Sequence, residues 1–154
     1  MSSIHASCVS FGEVGVLIRG APASGKSSLC LRLIDDEGRG VGRKALQARL
    51  VADDQVMISR KGKGIWAEAP PSLAGLLEVR GLGLVKVAFA KCAEIKLVVD
   101  LVPGPQVARV PEPQQQRVEI DGVMLPWLQL DARTAVAAAV LRAALGHFNL
   151  LSGR

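Results

Sequence analysis

The segment from residue 20 to residue 27 has the residue types and the spacing of a phosphate-binding loop. It reads Gly20-Ala21-Pro22-Ala23-Ser24-Gly25-Lys26-Ser27 and fills every fixed position of the pattern G-x-x-x-x-G-K-[ST]. The two glycines allow the backbone to turn so that its N–H groups point at phosphate oxygens. Lys26 is predicted to reach the β- and γ-phosphates, and the Ser27 hydroxyl to bind Mg²⁺. The loop therefore predicts the binding of a nucleotide together with magnesium.

The segments on either side of this loop favour a functional site over an ordinary Gly-rich turn. Residues 14–18 form a short apolar run typical of a buried strand, and residues 28–34 carry apolar side chains at helical spacing. A strand, the loop and a helix, in this order, is the arrangement that a phosphate-binding loop requires. An ordinary turn would leave Lys26 and Ser27 unexplained.

Carboxylates that suit phosphoryl transfer follow further along the chain. Asp53 and Asp54 come directly after the apolar run 50–52, at the strand end where open α/β sheets bind ligands. Such a pair can hold Mg²⁺ or take a proton from an attacking hydroxyl, although aspartates also favour turns and caps. Glu78 lies inside an apolar segment and is either a second metal ligand or a partner of Arg80 on a solvent face. Its spacing leaves both interpretations open.

Three further residues are candidates whose spacing does not decide their role. His5 precedes the first hairpin strand, and a single histidine near a terminus is usually a surface residue. Arg109 and Arg117 can each stabilise phosphate charge, and the pattern around them favours neither.

Length and composition predict a single domain over residues 1–154 with an aliphatic core, because 49% of the chain is hydrophobic, only 3% is aromatic and there is no tyrosine. No apolar run approaches the length of a membrane span, and no basic segment leads into an apolar one at the N-terminus, so we expect neither a membrane partner nor a secretory signal. Cys8, Cys30 and Cys92 lack metal-binding spacing and predict reduced core thiols of a cytoplasmic protein.

The net charge of +5 is concentrated in short basic segments. Residues 39–49 contain Arg39, Arg43, Lys44 and Arg49. Such patches attract nucleic acids, acidic proteins or nucleotides, and a solvated loop surface is the favoured interpretation. Because aromatic residues are not interleaved with the charges, we expect no nucleic-acid partner.

The order of elements predicts an α/β fold with a mixed, strand-rich sheet and few helices. Helices are predicted over residues 26–36 and 132–145, the second starting at the N-cap Asp131 and ending at Gly146. Strands are predicted over residues 9–11, 14–18, 50–52, 55–60, 64–68, 76–79, 84–87, 94–101, 117–120 and 123–125.

Four segments together resemble one known family, the catalytic domain of bacterial HPr kinase/phosphorylase, in a short form without the N-terminal domain. They are His5 followed by residues 14–20, the phosphate loop, Leu50-Val-Ala-Asp-Asp54, and Leu77-Glu-Val-Arg-Gly-Leu-Gly-Leu-Val85. The last of these is close to the signature of the family and is far more specific than the loop. The resemblance covers residues 5–100.

The resemblance implies an enzyme that transfers phosphate from ATP, with Mg²⁺, to a serine of HPr, a small phosphocarrier protein of the sugar phosphotransferase system. It also implies a fold related to the nucleotide-binding part of phosphoenolpyruvate carboxykinase. By position, Lys26 matches the loop lysine, Ser27 and Glu78 match magnesium ligands, Asp53 matches the proton acceptor, and His5 matches the active-site histidine.

The resemblance also selects Arg109 over Arg117 as the active-site arginine, with Asp54 and Arg80 as further candidates. The sequence departs from the family where a late Pro-Gly-Arg-Asn-type loop is expected, since residues 125–130 read Leu-Pro-Trp-Leu-Gln-Leu. Because that loop is tied to dephosphorylation in the family, kinase activity is predicted and phosphorylase activity is doubtful. The basic segment 37–49 is longer than the family's turn, and the resemblance leaves a homo-oligomer open.

Two other functions compete with a protein kinase. One is a small-molecule kinase on the same fold, which the relationship to the carboxykinase allows. The other is a nucleotide-binding regulatory module without transfer activity. The presence of Lys26, Asp53 and Glu78 argues against such a module, because a module without activity does not need them.

Overall fold

The computed structural model describes residues 1–151, within which eleven strands and two α-helices alternate irregularly. The strands are β1 Ser2–Ile4, β2 Ser7–Phe11, β3 Val14–Arg19, β4 Arg49–Ala52, β5 Val56–Lys61, β6 Gly64–Glu68, β7 Leu76–Val79, β8 Gly83–Lys86, β9 Ala93–Leu101, β10 Arg117–Ile120 and β11 Val123–Leu130. The helices are α1 Lys26–Asp35 and α2 Ala137–His147. The predicted mixed, strand-rich sheet with two helices is confirmed.

Strand β9 lies at the centre of the main sheet and contacts three other strands. It pairs in parallel with β3 along most of its length, in parallel with β11 at its carboxyl half, and antiparallel with β6 at its first residues. The remaining order is β1-β5-β6-β9-β3-β2-β4, while β7 and β8 form a separate two-stranded hairpin. Because β3, β9 and β11 run in the same direction, their carboxyl ends meet at one edge of the sheet.

Aliphatic side chains cover both faces of this sheet, as the low aromatic content predicts. Both helices pack on one face, where Val16 and Ile18 of β3 contact Leu29 and Leu141. Leu17 points to the opposite face and packs among residues of β5, β6 and β10. This alternation follows from the period of two in strand side-chain direction, and it buries the central residues 15–18 of β3 on both faces.

The second helix differs from its prediction at both ends. It begins at Ala137 rather than residue 132. Residues 131–136 instead form turns, closed by hydrogen bonds from the Thr134 N–H to the Asp131 carbonyl and from the Ala137 N–H to the Thr134 carbonyl, and Arg32 also donates to the carbonyls of Ala132 and Thr134. Gly146 lies inside the helix, and the left-handed residue that ends it is Asn149, whose neighbour Leu150 donates its N–H to the Leu145 carbonyl. This is the hydrogen bond of a Schellman C-cap.

The amino-terminal strand β1 was absent from the predicted elements. It pairs with β5, so His5 follows a strand instead of preceding the first one. The segment 37–48 between α1 and β4 contains no helical turn.

Candidate active site

The phosphate loop connects β3 to α1 at the carboxyl edge of the sheet. Gly25 occupies the N-cap of α1 with φ 99°, a left-handed conformation that favours glycine. A Cβ at Gly20 would overlap the hydroxyl of Ser24, so this position also has no room for a side chain. The Ser24 hydroxyl is buried and has no hydrogen-bond partner within residues 1–151. The loop thus leaves one donor unsatisfied beside the amino end of a helix.

Lys26 places a buried positive charge on this loop. The residue is 6% exposed, and its Nζ donates hydrogen bonds to the carbonyl oxygens of Gly20 at 2.9 Å and Ala21 at 3.2 Å. Both partners are neutral, and no carboxylate forms an ion pair with Lys26 in the described part of the chain. The charge is therefore available to an anion that enters the loop.

Asp53 follows β4 and joins three elements through its carboxylate. It accepts hydrogen bonds from the Ser27 hydroxyl at 2.9 and 3.1 Å, from the Ser7 hydroxyl at 2.8 Å and from the backbone N–H of Glu78 at 3.1 Å. The residue is only 8% exposed. Asp53 is therefore surrounded by partners from β2, α1 and β7.

Asp54 differs from its neighbour in almost every respect. Its backbone is left-handed with φ 66°, and its side chain is 65% exposed. One carboxylate oxygen lies 3.4 Å from Nδ1 of His5. The Ser7 hydroxyl accepts a hydrogen bond from the Asp54 N–H at 3.1 Å while it donates to Asp53, so Ser7 holds both aspartates in place.

A cavity of about 930 Å³ opens beside the loop and collects most of the predicted residues. Its lining includes Pro22, Ala23, Ser24, Gly25, Lys26 and Ser27 of the loop together with His5, Asp54, Glu78 and Arg80. Four segments that are distant in sequence therefore contribute to one site.

The structure does not bring Arg109 to this cavity. Arg109 is exposed and lies in the segment that follows β9, where it lines a separate cavity of about 450 Å³ with Trp127 and Phe148. Arg109 lies between β9 and β10 in the sequence, but the segment that carries it lies beside α2 and not at the phosphate loop.

Arg133 lines the cavity at the loop together with Arg80, and the prediction of site residues omitted it. The turn that carries it is fixed on both sides: Asp131 accepts a hydrogen bond from the Arg133 N–H at 2.9 Å, and Arg32 of α1 donates to the Ala132 carbonyl. Gly25 lies against Ala132, since an added Cβ would stand 3.2 Å from the Cβ of that alanine. The turn is thus seated on the phosphate loop.

Residues 126–128, which stand where the family's late loop is expected, form no loop. These residues belong to β11, which is longer than predicted because Trp127 to Leu130 pair with β9. The indole of Trp127 donates to Asp100 at 2.9 Å, and Asp100 also receives two hydrogen bonds from Arg19. Trp127 is therefore a structural partner of β9, and Arg133 adds a positive charge to those of Lys26 and Arg80 at the cavity.

The thiols near the site are unsuited to nucleophilic catalysis. Burial raises the pKa of Cys8 to about 12, and burial together with the nearby Asp53 charge raises the pKa of Cys30 well above its usual value. Both thiols are free and buried, as predicted, whereas Cys92 is exposed and is not a core residue.

The donor set at the loop fits a magnesium–nucleotide complex. No group of three metal-ligating His, Cys, Asp or Glu side chains occurs in residues 1–151. A hydroxyl and a carboxylate do meet at Ser27 and Asp53, and the Glu78 carboxylate lines the same cavity. Mg²⁺ is commonly held by one or two carboxylates together with substrate phosphates, so these side chains suffice when a nucleotide is present.

A strand, a phosphate loop and a helix, with carboxylates at the adjacent strand end, define a nucleotide-binding domain of the phosphate-loop class. Comparison with known proteins then identifies the family: the HPr Serine kinase C-terminal domain matches residues 1–150, and the chain belongs to that family. No helix within the described residues is long and apolar enough to cross a membrane.

Two relatives and one solved structure illustrate the similarity. The chain is 35% identical to an HPr kinase/phosphorylase of Burkholderia lata over 150 residues, and 29% identical to one of Streptococcus thermophilus over 158 residues. It aligns over 91% and 95% of its own length but covers only 43% and 48% of theirs, so it spans about half the length of these relatives. The structure of the Hpr(Ser) kinase/phosphatase from Coxiella burnetii matches 97% of this chain with a TM-score of 0.76 at 23% identity and supports the fold.

Proposed function

We propose that this chain is an ATP- and Mg²⁺-dependent serine kinase whose acceptor is an HPr-type phosphocarrier protein. The observation that carries the proposal is the convergence of Lys26, Ser27 and Asp54 at one cavity, with the buried Asp53 hydrogen-bonded to Ser27 behind it. Phosphoryl transfer needs little covalent chemistry from a protein, because positioning and charge neutralisation supply most of the rate enhancement. Membership of the family and the names of its relatives support the choice of acceptor.

The nucleotide is expected to bind with its phosphates in the loop. The backbone N–H groups, the amino end of α1 and the Lys26 ammonium hold the β- and γ-phosphates. A phosphate oxygen also offers an acceptor to the unsatisfied Ser24 hydroxyl. Ser27, Asp53 and Glu78 would hold Mg²⁺, which when bound supplies positive charge to the transferring phosphoryl group.

The exposures of Asp53 and Asp54 suggest different roles for the two residues. The resemblance to the family matched Asp53 to the proton acceptor, and the exposures favour Asp54. The Asp53 carboxylate accepts hydrogen bonds from Ser7, Ser27 and the Glu78 N–H, the residue is only 8% exposed, and it does not line the cavity. The Asp54 carboxylate faces the cavity and is the better candidate to take the serine proton. We therefore propose that Asp54 accepts the serine proton, and that Asp53 helps Ser27 and Glu78 to hold Mg²⁺.

In this scheme the acceptor serine enters the cavity with its hydroxyl hydrogen-bonded to Asp54. The proton passes to the Asp54 carboxylate as the serine oxygen bonds to the γ-phosphorus and the bond to the bridging oxygen of ADP breaks. His5 lies 3.4 Å from Asp54 and orients that carboxylate. A protonated His5 would also stabilise the negative charge of Asp54. Arg80 and Arg133 add positive charge at the cavity wall.

Arg133 bears on the reverse reaction. Removal of the serine phosphate by inorganic phosphate brings two anions together and therefore needs a cation beside the loop. The sequence offered no such group in residues 125–130, but Arg133 lies at the cavity. We propose that the kinase direction dominates and that any phosphorylase activity depends on Arg133.

The deciding experiment incubates the protein with γ-labelled ATP, Mg²⁺ and an HPr-type carrier and maps the labelled residue by mass spectrometry. The expected result is label on one serine of the carrier and none on a serine-to-alanine carrier. Label in a small metabolite instead would favour a small-molecule kinase. Nucleotide binding without any transfer would favour a regulatory module and contradict the proposal.

A further inference from the structure

The β7–β8 hairpin beside the cavity exposes two leucines. Leu82 is 78% exposed and Leu84 is 66% exposed, although the transfer of a leucine side chain out of water is favourable. A Cβ added at Gly81 or Gly83 would meet no atom within 4 Å, so the tip that carries these leucines is surrounded by open space. Two large apolar side chains therefore stand on a projecting element.

The pairing of the two strands shows which way Leu84 faces. Leu84 is directly opposite Glu78, and Leu77 is directly opposite Val85. Partners in an antiparallel pair lie on the same face. Leu77 is fully buried, whereas Glu78 lines the cavity at the phosphate loop. Leu84 therefore lies on the open face of the hairpin, beside the cavity and away from the core.

The hairpin is also connected to the machinery of the site. The Glu78 N–H donates to Asp53, and the tip is closed by a hydrogen bond from the Leu82 N–H to the Val79 carbonyl at 2.9 Å. Arg80 and Gly81 line the cavity next to Leu82. A protein that presents a serine side chain to this cavity would have the hairpin tip within reach of its surface, whereas a metabolite would not need exposed leucines there.

We infer that the open face of the β7–β8 hairpin, formed by Leu82 and Leu84 with Arg80 and Lys86 beside them, docks the protein that carries the acceptor serine. The inference rests on the proposed kinase function and deepens it. The chemistry of this surface fits an apolar patch beside the serine, flanked by acidic side chains that complement the two basic residues. The leucines supply buried apolar area on binding, and the cations set orientation.

The test compares steady-state phosphorylation of an HPr-type carrier by the wild type and by the double variant Leu82→Ser/Leu84→Thr. Threonine preserves strand propensity, and neither substitution adds charge beside Glu78. We expect the KM for the carrier to rise about tenfold or more, with kcat at saturating carrier and the affinity for a fluorescent ATP analogue each within about twofold of wild type. A matched control, Val41→Ser/Val110→Ser, removes two other exposed apolar side chains that do not line this cavity and should leave the KM unchanged.

Each alternative outcome contradicts the inference in a distinguishable way. An unchanged KM in the leucine variant, with active wild type, would overturn the docking surface and leave the kinase intact. A change in oligomeric state in the leucine variant alone, measured by sedimentation, would assign the leucines to a contact between copies of this chain. If wild type transfers no phosphate to the carrier but does to a metabolite, the proposed function fails and the docking inference fails with it.

Discussion

Two buried cations in this molecule have opposite uses. Lys26 and Arg142 are 6% and 2% exposed, and each donates to backbone carbonyl oxygens. Lys26 bonds to two carbonyls of its own loop, beside an open cavity. Arg142 of α2 bonds to the carbonyls of Leu46, Leu33 and Asp36, and it does not line the cavity at the phosphate loop.

Their surroundings explain the difference. The segment after α1 wraps closely around Arg142, because a Cβ at Gly38 or Gly40 would overlap the arginine. Desolvation lowers the pKa of the Arg142 guanidinium and the Asp36 carboxylate raises it, but an arginine remains charged in either case. Arg142 thus stabilises the fold, whereas the two loop carbonyls that Lys26 contacts can be replaced by a phosphate. Burial of a charge does not by itself indicate function; its partners do.

The largest expected effect separates these two roles. Lys26→Ala should reduce phosphate transfer about a thousandfold or more, because it removes the charge that contacts the transferring group. Since its present partners are loop carbonyls, the free energy of unfolding should change by about 1 kcal/mol or less. Transfer assays and urea denaturation measure the two quantities, with Lys63→Ala as a control. Near-normal activity at saturating ATP would contradict the assignment of the loop.

The same contrast applies to the adjacent aspartates. Asp54→Asn should lower kcat about a hundredfold or more while ATP affinity stays within about twofold, because the amide cannot accept the serine proton. Asp53→Asn should weaken both magnesium-dependent nucleotide binding and turnover. Isothermal titration and single-turnover transfer distinguish the two variants. The opposite pattern would return the proton-accepting role to Asp53.

Arg142→Met is expected to act on stability alone. It removes the guanidinium donor from the carbonyls of Leu46, Asp36 and Leu33, of which Leu33 keeps the Ala48 N–H, and we expect a loss of about 3 kcal/mol in the free energy of unfolding. The fraction that remains folded should keep its kcat, measured at low temperature. Arg117→Met, at an exposed position of β10, is the matched control. A folded variant that has lost transfer would mean that Arg142 also serves the site.

The smallest expected effect concerns Glu78. Glu78→Gln should raise the Mg²⁺ concentration for half-maximal transfer about tenfold, because an amide is a poorer ligand for a hard cation than a carboxylate. A magnesium titration of the transfer rate measures the shift, and Glu119→Gln on β10 serves as the control. If the magnesium titration curves of both variants superimpose on that of wild type, Glu78 is an ordinary charged residue on a solvent-exposed face.

Local signals in the sequence predicted the loop, most strands and the residues adjacent to strand ends. They failed where a role depends on contacts between distant segments. Ser7 supports two aspartates that lie more than forty residues away, and no local pattern marks it. The start of α2 was predicted wrongly because residues 131–136 form turns, which Arg32 from another helix holds by donating to the carbonyls of Ala132 and Thr134. Arg133 was passed over because Asp131 was interpreted as a helix cap rather than as the residue that fixes a turn.

The late position of β9 has a consequence for how this chain folds during synthesis. The strand spans residues 93–101, and its partner β3 spans residues 14–19. Before β9 leaves the ribosome, β3 can pair only with β2, and β6 only with β5. The pairing of β3 with β9 joins residues that are distant in sequence, and pairing of this kind slows folding and leaves strand edges open to aggregation. Until β9 is available, β3, which leads into the phosphate loop, lacks its partner at the centre of the sheet. We therefore expect the catalytic centre to assemble only after nearly two thirds of the chain has been made.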